Sequence, residues 1–92
     1  MKPDLVIRGG TVLDGTGADP VKADVAVKDG LVSEIGRLEA RGEVELDGDG
    51  LFVVPGFIDI HSHSDYTLLV DPRAVSAIHQ GVTTEVVGNC GF

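Results

Sequence analysis

The chain has 92 residues, 42% of them hydrophobic, and a formal net charge of -8. That length makes at most one small domain with a thin core, and the composition is that of a folded chain rather than a disordered one. The negative charge speaks against nucleic acid and anionic membranes as partners, and no apolar run approaches the roughly 20 residues that cross a bilayer.

In chain order, Met1-Lys2-Pro3-Asp4 leads into Leu5-Val6-Ile7-Arg8 without an apolar signal core, so the expected location is the cytoplasm. Leu5–Arg8 reads as a short strand stopped by Gly9-Gly10, and Thr11-Val12-Leu13 as a second piece closed by Asp14-Gly15-Thr16-Gly17. Asp24-Val25-Ala26-Val27-Lys28 and Leu31-Val32-Ser33-Glu34-Ile35 both alternate polar and apolar residues, the pattern of half-buried strands. Asp29-Gly30 between them is a strong hairpin signal, because a type I′ turn needs positive φ at both central residues. Val44–Asp47 and Leu51–Val54 flank Gly48-Asp49-Gly50, which reads as another turn. Residues 1–54 are thus expected to form an antiparallel sheet of about five or six short strands.

The pattern changes at Pro55. Phe57-Ile58-Asp59-Ile60 has the apolar character of a strand buried on both faces. A loop is expected through Val70. Asp71-Pro72 then reads as a helix start, with Asp as N-cap and Pro at the first helical position. Ala74, Val75 and Ile78 share one helical face, and Gly81 is placed to end the helix. Val82-Thr83-Thr84-Glu85-Val86-Val87 is a β-branched strand. Residues 55–92 therefore read as one parallel, right-handed βαβ unit. Two strands and a short helix cannot cover their own apolar faces.

Chemistry concentrates in this second part. His61 and His63 are separated by one residue at the end of the Phe57–Ile60 run, and side chains two apart on a strand point the same way. Ligand sites in parallel α/β structures lie at the C-terminal ends of the strands. Cys90, in Gly88-Asn89-Cys90-Gly91, lies past the end of the second such strand. Being the single cysteine of the chain, Cys90 forms no internal disulfide. It is a packing residue, a reactive thiol or a metal ligand. Imidazole and thiolate are both good zinc ligands, and His61, His63 and Cys90 at one rim make zinc the candidate cofactor. Asp59, two residues before His61, either orients a ligand through a hydrogen bond or bonds a backbone amide. Asp65 either lines the pocket or caps a turn. His79, near the predicted helix end, suits the helix dipole there and reads as structural or surface.

Pro55-Gly56-Phe57-Ile58-Asp59-Ile60-His61-Ser62-His63 resembles the opening signature of the metal-dependent amidohydrolase superfamily, as does Gly81-Val82-Thr83-Thr84. The front half is similar to that superfamily's small β-sandwich. His61-Ser62-His63-Ser64-Asp65, Leu69-Val70-Asp71-Pro72-Arg73, Gln80-Gly81-Val82-Thr83-Thr84 and Val87-Gly88-Asn89-Cys90-Gly91 resemble, more narrowly, the N-acyl-D-amino-acid deacylases. The resemblance implies a mixed β and α/β fold. Residues 1–54 would supply the N-terminal part of a β-sandwich domain, and residues 55–92 the first βαβ of a (β/α)8 barrel, left incomplete because a barrel takes about 250 residues. It implies that His61, His63 and Cys90 bind Zn2+, with further ligands and an acid–base aspartate beyond Phe92, so that no catalytic residue lies in this segment. Lys2, Lys22 and Lys28 all precede Pro55, so no metal-bridging lysine comes from the barrel part. The implied parent cleaves the linear amide bond of small-molecule N-acyl-D-amino acids, and the segment alone is expected to be inactive. Two alternatives stand beside this reading: a cyclic amidohydrolase of the dihydropyrimidinase or dihydroorotase kind, and a non-catalytic β-rich module that self-associates through exposed strand edges.

Overall fold

A computed structural model of the chain describes residues 2–88. The chain divides into two compact units, Met1–Pro55 and Gly56–Phe92.

The first unit is one five-stranded sheet built on β1 (Leu5–Val12). On one side β1 pairs antiparallel with β2 (Val21–Lys28), which pairs antiparallel with β3 (Leu31–Gly36). The β2–β3 turn has Asp29 at φ +52° and Gly30 at φ +79°, the two positive values the Asp-Gly pair predicts. Gly9-Gly10 does not stop the first strand. β1 runs through it with a bulge between Ile7 and Gly10, and the Gly9 amide donates to Asp24 Oδ1 at 2.8 Å. A bulge leaves one residue out of the ladder, and here a side chain takes over that amide.

The other side of β1 departs from the expected antiparallel pattern. β4 (Val44–Asp47) and β5 (Phe52–Val53) both run parallel to β1, one after the other along the same edge. Gly48-Asp49-Gly50 is therefore a detour and not a hairpin: Gly48 N donates to Arg8 O at 2.7 Å, and Thr11 N donates to Leu51 O at 2.9 Å as pairing resumes. A parallel neighbour needs a crossover, and the segment between β3 and β4 provides it. Arg8 holds that segment. Its guanidinium donates to Leu38 O at 2.7 Å and to Ala40 O at 2.8 Å, forks onto the Glu45 carboxylate at 3.1 and 2.7 Å, and reaches Asp24 at 3.3 Å. Asp24 also accepts the Leu38 amide at 3.1 Å. The bond from Arg8, aided by the Gly42 amide, lowers the Glu45 pKa to about 2. Val6, Val25 and Ala26 form the buried apolar centre, while Leu31, Val32, Leu46, Leu51 and Phe52 are exposed, as a single sheet covers few of its side chains.

The second unit pairs β6 (Phe57–Asp59) with β7 (Val82–Glu85) in parallel, the expected strand–helix–strand arrangement. Gly56 is required just before β6: a Cβ there would strike the Thr83 side chain. The helical part differs from expectation. A seven-residue helix, α1 (Ser64–Val70), occupies the stretch read as a loop, and the expected helix shrinks to α2 (Val75–Ile78). Proline disfavours the helical region for the residue before it. Asp71 accordingly lies at φ -139° and ψ +97° and donates its amide to Thr67 O, ending α1 instead of starting a helix. Its carboxylate accepts the Arg73 amide at 3.1 Å and both Arg73 guanidinium contacts at 2.9 Å, which lowers its pKa. Gly81, at φ +85°, closes the turn after α2 as expected.

Candidate metal centre

β6 ends at Asp59, so the two histidines stand just past the strand and not on it. The alternation of a strand nevertheless persists: His61 and His63 are exposed, and Ser62 between them is 7% exposed. Two interactions hold this shape. Asp59 Oδ1 accepts the His61 amide at 3.1 Å, and the Ser62 amide donates to Val86 O at 3.1 Å, just beyond β7. This is a backbone-amide bond of the kind expected as one of the two roles for Asp59. His63 is the N-cap residue of α1 and makes no side-chain capping bond, which leaves its ring to other uses.

The two rings have centroids 5.5 Å apart and planes inclined by 31°. Neutral imidazole binds zinc at about 2.0–2.1 Å, which sets the centroids of two rings on one ion roughly 5 Å apart. The pair fits a shared cation on this measure. Two rings do not complete a site, and among the described residues no group of three His, Cys, Asp or Glu side chains converges. Cys90, the third ligand inferred from sequence, lies outside the described residues.

Asp65 sits in the first turn of α1, and its Oδ1 is buried with no hydrogen-bond partner among the described residues. Such an atom is uncommon in a native fold, and here it lies two residues from a candidate ligand. His79 is exposed at the C-terminal end of α2, apart from the pair in sequence and in its element. Lys2, Lys22 and Lys28 pair with Glu43, Asp49 and Asp4 within the first unit.

Sequence reasoning passed over Ser62 and Glu85. The Ser62 hydroxyl lies 2.8 Å from Ser64 Oγ and 3.3 Å from Glu85 Oε1, and it accepts the Ser64 amide at 3.1 Å. The available signal was the carboxylate closing Val82-Thr83-Thr84-Glu85, at the same rim as the histidines.

The chain matches known proteins over nearly its whole length. N-acyl-D-glutamate deacylase of Alcaligenes xylosoxydans xylosoxydans is 44% identical over 92 residues, 99% of this chain and 19% of the relative. The crystal structure of N-acyl-D-glutamate deacylase from Bordetella bronchiseptica, complexed with zinc and a phosphonate inhibitor that mimics the tetrahedral intermediate, superposes with a TM-score of 0.91. It is 43% identical and is matched over 99% of this chain and 19% of its own. The L-hydantoinase (dihydropyrimidinase) of Arthrobacter aurescens is more distant, at 28% identity and a TM-score of 0.74 over 90% of this chain and 20% of that one. No family model matches the chain. The chain spans 15–19% of the length of the first curated relatives it matches.

The class of protein it is similar to is the amidohydrolases. More particularly, it is homologous to an N-terminal part of the N-acyl-D-amino-acid deacylases, the D-aminoacylases.

Proposed function

We propose that His61, His63 and Cys90 contribute to a zinc centre of an enzyme that hydrolyses the linear amide bond of small N-acyl-D-amino acids. The observation carrying this reading is the facing pair of exposed rings, 5.5 Å between centroids, at the strand rim of a chain homologous to zinc-containing deacylases. Residues 1–54 would belong to the β-sandwich domain of that enzyme, and residues 55–92 would open its barrel. When bound, zinc supplies Lewis acidity for an amide carbonyl and for a water nucleophile. The chain's own residues do the rest locally. Asp59 closes the strand end and fixes the His61 backbone, and α1 begins at once behind His63. The lower identity to the hydantoinase favours a linear amide over a cyclic one.

The test is metal content of the complete protein that carries this segment. His61→Ala and Cys90→Ala should each reduce bound zinc per molecule, measured by elemental analysis after dialysis, and abolish release of D-amino acid from N-acyl-D-amino acids. Full zinc content in both variants would remove the proposed centre. Ring opening of hydantoins, without cleavage of N-acyl-D-amino acids, would instead assign the cyclic reaction. Among the described residues no helix is long and apolar enough to cross a membrane.

A further inference from the structure

We infer that Ser62, held by Glu85, is a positioning residue for the two imidazoles. This rests on the zinc reading above and extends it to residues that touch no ligand. Ser62 is the middle residue of the pair motif, so its side chain is directed away from the rings and into the unit, where it is 7% exposed. A buried hydroxyl needs partners, and three groups meet it: the Ser64 amide at 3.1 Å, Ser64 Oγ at 2.8 Å and Glu85 Oε1 at 3.3 Å. The hydroxyl has one hydrogen, and a carboxylate makes the stronger claim on it. Ser64 Oγ can then donate in return.

The consequence is mechanical. Glu85 is the last residue of β7, and Ser62 lies just past β6. The backbone already joins these two ends, through Val86 N to Asp59 O at 2.7 Å and Ser62 N to Val86 O at 3.1 Å. The side-chain bond adds a second tie at the same place. With its backbone and its side chain both tied to the end of β7, Ser62 is held against rotation, and so are the directions in which His61 and His63 leave the chain on either side of it. Groups that hydrogen-bond a ligand directly change metal affinity about 10–100-fold when removed, and Ser62 and Glu85, which act through the backbone, are expected at the low end of that range.

The experiment measures zinc affinity of the complete protein by competition with a chromophoric chelator, alongside thermal melting of the metal-free form. Ser62→Ala and Glu85→Ala should each weaken zinc binding about 10-fold or more, and the double variant no more than the weaker single. Ser62→Thr and Glu85→Gln, which keep a hydroxyl and an acceptor, should restore most of it. A folded Ser62→Ala protein with parental zinc affinity overturns the inference, as does lower melting temperature with unchanged affinity. If Ser62→Ala does not fold, Glu85→Ala and Glu85→Gln decide alone, and equal affinity in those two overturns it. His61→Ala separates the premises: if it too leaves zinc affinity unchanged, the zinc centre itself is wrong, whereas loss there with no loss in the Ser62 and Glu85 variants sinks only the positioning role.

Discussion

The two units use polar side chains in opposite ways. In Met1–Pro55 the charged network is turned inward on the chain: one guanidinium binds two carbonyls and two carboxylates, and one aspartate binds two amides. Arg8, Asp24 and Glu45 hold a crossover and a bulge. In Gly56–Phe92 the strands are three and four residues long, the helices are short, and two imidazoles stand exposed at a strand rim. The unit with the denser internal bonding carries no candidate chemistry, and the unit with candidate chemistry is lightly built. A rim that must admit a ligand cannot saturate its own polar groups, which is why functional groups gather on short connections borne by a stiffer frame.

The largest expected effect sharpens this contrast from the first unit. Arg8→Met removes the donor that holds Leu38, Ala40, Glu45 and Asp24 together, leaving Asp24 without its cation and Glu45 with only Arg41 at 3.9 Å. The midpoint of thermal unfolding should fall by about 5 °C or more, and amide hydrogen exchange over residues 37–48 should quicken ahead of the β2–β3 hairpin. Uniform protection in the variant would mean that Arg8 is not what closes the crossover.

A packing test in the second unit comes next. Gly56→Ala places a methyl against Thr83 and should cost about 1–3 kcal/mol, the range for an overpacked site. Urea unfolding would show it, and Thr83→Gly in the same chain should recover part of the loss. Additive effects of the two changes would refute the contact.

The smallest effect is that of Glu45, whose contribution is present at neutral pH and disappears in acid. Its pKa is lowered from 4.5 to about 2 in the folded chain by the bond from Arg8. A depressed carboxylate favours the folded state above its unfolded value, and that contribution is lost as pH falls from about 4.5 through about 2. Unfolding midpoints measured across this window should drop less steeply in Glu45→Gln than in the parent. Equal slopes would assign the acid sensitivity to other carboxylates.

Much of this architecture was legible in the chain. The Asp29-Gly30 turn, its two flanking strands and the parallel strands around a helical segment follow from local rules: positive φ at a two-residue turn, period-two alternation, and runs of β-branched residues. The same period-two rule put His61 and His63 on one side of the chain, while the burial of Ser62 between them was not foreseen. What escaped involves partners distant in sequence. Nothing in Val44-Glu45-Leu46-Asp47 says that it runs parallel to β1, and the glycine-rich turn after it looked like a hairpin because turn residues specify a bend, not a direction. The helix Ser64–Val70 was missed because no N-cap signal was recognised before it, and Asp71-Pro72 was read as a beginning when the restriction proline places on its predecessor made it an end. Ser62 and Glu85 are commonplace residues until a fold brings 23 positions of separation down to a hydrogen bond.

By itself the sequence determined the elements whose cause is local, together with which side chains are candidates for a metal, because backbone propensity and ligand chemistry belong to single residues and their near neighbours. Tertiary structure alone decided which strands pair and in which direction, that Arg8 locks the crossover, and that Asp59 serves an amide while Glu85 meets Ser62. Those outcomes depend on closing loops over long stretches of chain, where the partner is selected by the summed fit of the whole unit and not by any one residue's preference.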